Sequence, residues 1–186
     1  MTMNRKKIKC IKSIPLLTNQ YVNFHKDIIE LPDGTRTEYY LTNRGGKASF
    51  VLPVDTRGRI LVLYEYRYPV GRHIIGPVGG SVEEGETPLR AARRELREEA
   101  GIIARRYRLL GTFYAGPAKS DTLFYAYVAM GLTPGQPQPD IAEYVECRWY
   151  TLAELERLIR HGEVRDPYLL AIYSLYRLKY RHRLPS

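Results

Sequence analysis

The stretch GSVEEGETPLRAARRELREEAGI, running from Gly80 to Ile102, is the most informative part of the chain. Its second half predicts a helix over Pro88 to Ala100. Thr87 is placed to cap the helix, and Pro88 takes the first helical position, where its missing N–H costs nothing. Gly101 supplies the stop. Leu89, Ala92, Leu96 and Ala100 fall on one face, which should pack on a sheet. Glu95, Glu98 and Glu99 fall at i, i+3 and i+4, so three carboxylates share another face.

Such a trio repels itself. At about 6 Å and an effective dielectric near 20, each partly buried pair costs roughly 2 to 3 kcal/mol. A hard divalent cation with oxygen ligands turns that repulsion into binding. In isolation the trio also reads as a solvated acidic face, neutralised by Arg90, Arg93, Arg94 and Arg97.

Outward from the helix, the chain alternates strands and turns. Tyr21 to Ile29 and Thr35 to Leu41 read as two strands around the turn Leu31-Pro32-Asp33-Gly34. A break follows at Asn43-Arg44-Gly45-Gly46. Ala48 to Pro53 and Arg59 to Tyr66 are the next strands, and Gly71 to Gly85 reads as a glycine-rich loop. After the helix come strands at Tyr107 to Tyr114 and Thr122 to Met130, then a Pro/Gln-rich loop at Pro134 to Asp140. Glu146 to Tyr150 is a strand, Leu152 to His161 a helix capped by Thr151, and Asp166 opens a last helix to about Lys179. This order predicts an α+β fold or an α/β sandwich. The expected division is a β-hairpin segment over 1–46 and a larger domain over 47–186.

Composition narrows the class. The 186 residues are 44% hydrophobic, enough for a core without metal or disulfide staples. Two cysteines, Cys10 and Cys147, give no disulfide framework and no zinc site. The first residues are basic, but Lys9, Lys12 and Pro15 interrupt Ile8 to Leu17, so no secretory core is read there. No apolar run reaches membrane-spanning length. A cytoplasmic location is expected. The net charge of +9 concentrates near the ends, in Arg5, Lys6, Lys7, Lys9 and Lys12 and in Arg177, Lys179, Arg181 and Arg183. These read as solvated basic tails.

The whole pattern around the helix resembles the Nudix box. It runs Gly80, five residues, Glu86, seven residues, Arg94-Glu95-Leu96, one residue, Glu98-Glu99, one residue, Gly101-Ile102. Seven of those positions demand a single residue type. Chance agreement is on the order of 1 in 10⁸ per starting point, so the acidic face is read as functional. The resemblance implies a Nudix α/β/α sandwich with a mixed central sheet, preceded here by a small N-terminal antiparallel β subdomain. It implies Glu95, Glu98 and Glu99 as metal ligands, joined by the Gly79 backbone carbonyl. It also implies Glu98 and Glu99 as the catalytic carboxylates of the box. Arg94 is expected to pair with a motif carboxylate such as Glu86 and fix its orientation. Mg²⁺ is the expected cofactor, with Mn²⁺ as the alternative.

Outside the box the chain resembles the ADP-ribose pyrophosphatase branch over roughly residues 20 to 180. The N-terminal segment is similar to one that forms a swapped dimer, which implies a homodimer. Leu63-Tyr64-Glu65-Tyr66-Arg67-Tyr68-Pro69 resembles a strand whose arginine contacts substrate, so Arg67 is a substrate-binding candidate; a solvent-facing arginine is the plain alternative. Pro117 stands sixteen residues after Gly101, where the branch has a proline. Phe24 could stack on a base or simply pack. In Ala142-Glu143-Tyr144-Val145-Glu146, Glu143 is the candidate fourth ligand or general base, with Asp140 a weaker rival and an ordinary loop acid the alternative. Two departures stand out. Gly76 occupies a position where the branch often has Glu, and the loop Gly116 to Thr122 lacks the branch's terminal Glu.

The implied reaction is metal-dependent hydrolysis of ADP-ribose, or a related nucleoside diphosphate sugar, to AMP and a sugar phosphate. The box predicts reaction class rather than substrate. GDP-sugars, dinucleoside polyphosphates and RNA caps are the competing substrates. A nucleotide-binding Nudix module without hydrolysis is a further reading, and nucleic-acid binding through the basic ends is another.

Overall fold

The structure, a computed structural model, describes residues 7–19, 21–43, 45–135 and 145–180. The described chain divides into two units. One runs to Gly46 and takes in Gly116–Thr122; the other holds Lys47–Ala115 and the chain from Leu123 on.

The first unit is a three-stranded antiparallel sheet in the order β1 (Lys9–Thr18), β2 (Asn23–Glu30), β3 (Arg36–Thr42). The turn between β2 and β3 closes where Asp33 and Gly34 require it. The Thr35 N–H donates to Asp33 Oδ1 at 2.9 Å, and Gly34 takes φ 91°. The sequence predicts a hairpin here; the structure adds a third strand, β1, where Lys9 and Lys12 read as basic-tail residues. Pro15 and two lysines hid the strand. An edge strand tolerates them, because one side of its ladder needs no donor. The register slips between Pro15 and Leu17. The loop Gly116–Thr122 joins this unit through Tyr39, whose hydroxyl donates to the Ala118 carbonyl at 2.5 Å.

The second unit has two sheets. The order β7 (Val78–Ser81), β4 (Lys47–Pro53), β9 (Leu123–Pro134), β8 (Ile102–Phe113) contains one parallel pair, β4 with β9, among antiparallel ones. The order β10 (Val145–Tyr150), β5 (Ile60–Arg67), β6 (Arg72–Gly76) is wholly antiparallel.

Alternation along the strands builds two core layers. Val51, Leu61, Leu63, Val78, Tyr127 and Ala129 pack with Ala92 and Leu96 of α1 (Pro88–Ala100). Their neighbours Phe50, Leu52, Ile60, Val62, Ala126 and Val128 pack with Leu155 of α2 (Leu152–Arg160) and Leu169 and Ile172 of α3 (Pro167–Lys179). Successive residues of a strand point to opposite faces. Helices therefore cover both faces, and the α/β/α sandwich follows.

Local signals set the helix ends. Thr87 Oγ1 accepts from the Arg90 N–H at 3.3 Å, and Gly101 closes α1 at φ 61°. Thr151 and Glu154 form a reciprocal capping box on α2. Asp166 Oδ1 accepts from the Leu169 N–H at 2.8 Å at the start of α3. No helix of the described residues is long and apolar enough to cross a membrane.

The segment Gly71 to Gly85 departs from expectation. It holds β6 and β7 rather than a continuous loop. Glycines leave no side-chain alternation to read, so β7 was invisible as a pattern. The basic ends also differ in part. Lys9 and Lys12 lie on β1, and Arg177 and Lys179 on the last turn of α3.

Candidate active site

Helix α1 lies against β7 and β4, and its acidic side meets the two glycines of β7. Gly79 has φ 141°, a backbone state L side chains rarely adopt. A Cβ there would stand 2.2 Å from the Ser49 carbonyl oxygen. The Gly79 N–H donates to Glu99 Oε2 at 2.8 Å. At Gly80 a Cβ would stand 2.6 Å from Glu95 Oε1. Two residues without side chains therefore let two carboxylates settle on the strand backbone.

Arg94 gathers the remaining acids. Its Nη1 lies 2.8 Å from Glu95 Oε1 and 3.1 Å from Glu98 Oε2. Its Nε and Nη2 each stand 3.3 Å from the two Glu86 oxygens, a forked contact. Nη2 also donates to the Ser81 carbonyl at 3.0 Å. Glu86 and Glu95 side chains are only 14% and 12% exposed, so these charges interact with little screening. Burial works against the guanidinium's charge. The Glu86 hydrogen bond and the charges of Glu95 and Glu98 outweigh it, and the Arg94 pKa rises above its ordinary value. Glu83, by contrast, is mostly exposed and 3.9 Å from Arg94.

The donor set suits a hard divalent cation: carboxylate oxygens, with glycine cradles that keep them close to the strand. Among the described residues no three His, Cys, Asp or Glu side chains already converge to hold an ion. Arg94 Nη1 stands between Glu95 and Glu98.

The other candidates are spread over both units. Arg67 ends β5, is half exposed and pairs with Glu65 at 2.8 Å. Phe24, in the first unit, stacks on Tyr40 with ring centroids 6.0 Å apart. That contact satisfies the packing alternative. Pro117 lies in an exposed turn of the same unit, where the Gly116 carbonyl accepts from the Lys119 and Ser120 N–H groups at 2.9 Å. Glu143 and Asp140 lie outside the described residues.

One neighbour of the acidic face escaped sequence reading. Cys147 of β10 donates its thiol to the Glu99 carbonyl at 3.7 Å. Partial burial raises its pKa, and the charges of Glu99 and Glu146 raise it further. Only the strand pairing brings it to the helix, and no local signal marks it.

Comparison with known proteins agrees with this geometry. An ADP-ribose pyrophosphatase of Bacillus subtilis is 28% identical over 160 residues, covering 85% of this chain and 86% of its own length. Another ADP-ribose pyrophosphatase, of Mycobacterium tuberculosis, is 30% identical over 164 residues, covering 87% and 79%. The crystal structure of an ADP compounds hydrolase matches with a TM-score of 0.85 at 20% identity, over 96% of each chain, which shows the shared fold. The NUDIX domain model matches residues 45–171, the segment that contains β7, α1 and the acidic cluster. The chain thus belongs to the NUDIX domain family, and within it resembles the ADP-ribose pyrophosphatases.

Proposed function

We propose that this protein hydrolyses the diphosphate bridge of ADP-ribose, or of a related nucleoside diphosphate sugar, using Mg²⁺. The observation that carries the reading is the seating of Glu95 and Glu99 on the two glycines of β7, with Arg94 clasping Glu86, Glu95 and Glu98. Resemblance to the two ADP-ribose pyrophosphatases supports this choice of substrate class.

In this reading Glu95, Glu98 and Glu99 would hold the cation, joined by the Gly79 carbonyl, and the chemistry supplied there would be positive charge beside the diphosphate and a more acidic water. Arg94 keeps Glu86 and Glu95 in place through its fork, so little reorganisation is left for the reaction. Glu143 takes a proton from the attacking water. The water oxygen bonds to one phosphorus, the bridging P–O bond breaks, and the bridge oxygen leaves with the other phosphate. The products are AMP and ribose 5-phosphate. Arg67 meets the diphosphate with its planar guanidinium.

A panel of ADP-ribose, ADP-glucose, GDP-mannose, diadenosine polyphosphates and capped RNA, each with Mg²⁺ and with EDTA, tests this. The expected result is Mg²⁺-dependent release of AMP, fastest from ADP-ribose. Preference for a dinucleoside polyphosphate or a cap would replace the substrate assignment. Tight binding without turnover would replace the enzyme by a nucleotide sensor.

The first unit is read as a homodimer element. Its edge strand β1 and the flanking Ile8 expose Ile8, Ile11, Leu16 and Leu17, and an exposed apolar edge invites pairing with a second copy. Light scattering should give about twice the chain mass, and Ile11→Lys with Leu16→Lys should give the monomer. A monomeric wild type at micromolar concentration contradicts it.

A further inference from the structure

Ser49 is the residue of the second unit that its packing does not explain. It lies in the interior of β4 and is 0% exposed. Its hydroxyl has no hydrogen-bond partner within the protein among the described residues. A buried hydroxyl left in that state is costly, and Ala would fill the same strand position without that cost.

The register shows where the hydroxyl points. Ser49 stands opposite Gly80 on β7 and beside Tyr125 on β9. Two residues along, Val51 stands opposite Val78 and beside Tyr127, and all three belong to the layer under α1. Residues two apart on a strand share a face, so Ser49 also faces α1. Directly opposed residues of an antiparallel pair have Cβ positions about 4.5 to 5.5 Å apart. The Cβ position of Gly80 is 2.6 Å from Glu95 Oε1 and 3.5 Å from Glu95 Oε2. Ser49 therefore faces α1 from the position directly opposite Gly80, the residue on which the Glu95 carboxylate sits, and a water between the two groups would bond both.

We propose that Ser49 is a positioning residue for Glu95, holding its carboxylate through one ordered water buried between β4, β7 and α1. Gly80 makes the room, since a side chain there would occupy the path. Arg94 Nη1 holds Glu95 Oε1, and the Ser49 water is a second hold on the same carboxylate. The carboxylate is then held in one rotamer before a cation arrives. The inference rests on the metal-binding reading of Glu95 given above.

The test is Mn²⁺ affinity measured by electron paramagnetic resonance without substrate, beside the melting temperature of the metal-free protein. Ser49→Ala should melt close to the wild-type temperature, because Ala fills the same strand position and the hydroxyl's bond is to water. Its Mn²⁺ affinity should fall about tenfold, as for other residues that orient a ligand. In a Glu95→Gln background the same substitution should make no further difference. Unchanged Mn²⁺ affinity in Ser49→Ala overturns the proposal, and so does an equal loss in both backgrounds. If the wild type binds no Mn²⁺, the metal reading fails and the proposal falls with it. A high-resolution crystal structure gives a second check. Density for a water within about 3 Å of both Ser49 Oγ and Glu95 supports it; an Oγ turned onto a strand carbonyl, with no water, refutes it.

Discussion

Glu99→Gln is expected to lower kcat by about 10³-fold while the protein melts close to the wild-type temperature. Glu99 Oε2 accepts the Gly79 N–H at 2.8 Å, and an amide oxygen can keep that bond. What the substitution removes is a negative charge beside the cation. A loss of that size corresponds to about 4 kcal/mol in the barrier. Steady-state rates on ADP-ribose at saturating Mg²⁺, with a thermal melt of the same sample, separate the two effects. Turnover near that of the wild type would show that Glu99 is no ligand.

Arg94→Met should act mainly on stability. It leaves Glu86, Glu95 and Glu98 without the cation that joins them, and two of these are largely buried. Breaking such a cluster from one side costs about 2 to 4 kcal/mol, because the acids stay close together with the guanidinium between them gone, although Glu98 keeps Arg97 at 3.5 Å. For a domain of this size the melting temperature should fall by about 5 to 15 °C. Mg²⁺ or Mn²⁺ should recover part of the loss, since an ion bound only by the folded state stabilises it. Arg94→Lys should restore charge but not the forked contact with Glu86, and so land between the two. Calorimetry with and without metal reads all three. An unchanged melting temperature in Arg94→Met would mean that the cluster is held by something other than this guanidinium.

How far the sequence could be read depended on whether each signal was local. Helix α1 was legible to the residue, because Thr87, Pro88 and Gly101 mark its ends within the chain itself. The acidic face was legible for the same reason, since i, i+3 and i+4 fix a shared side whatever the fold around it. β7 was not, because Gly79 and Gly80 carry no side chains to alternate. β1 was not, because its lysines and Pro15 look like tail residues until a neighbouring strand pairs with them. The seating of Glu95 on Gly80 and the direction of Ser49 depend on strand register, which no short stretch encodes. The stacking of Phe24 on Tyr40 is likewise a cross-strand contact. Glu143 falls in a part of the chain outside the described residues, so its role rests on the resemblance of its surroundings.

The measurement closest to the central claim is anomalous scattering from crystals soaked in saturating Mn²⁺ with a non-hydrolysable ADP-ribose analogue. The account predicts manganese peaks within about 2.0 to 2.6 Å of carboxylate oxygens of Glu95 and Glu99, with Glu98 turned from Arg94 toward the ion. Carboxylates still clasped by Arg94, with no manganese beside them at saturation, would contradict it.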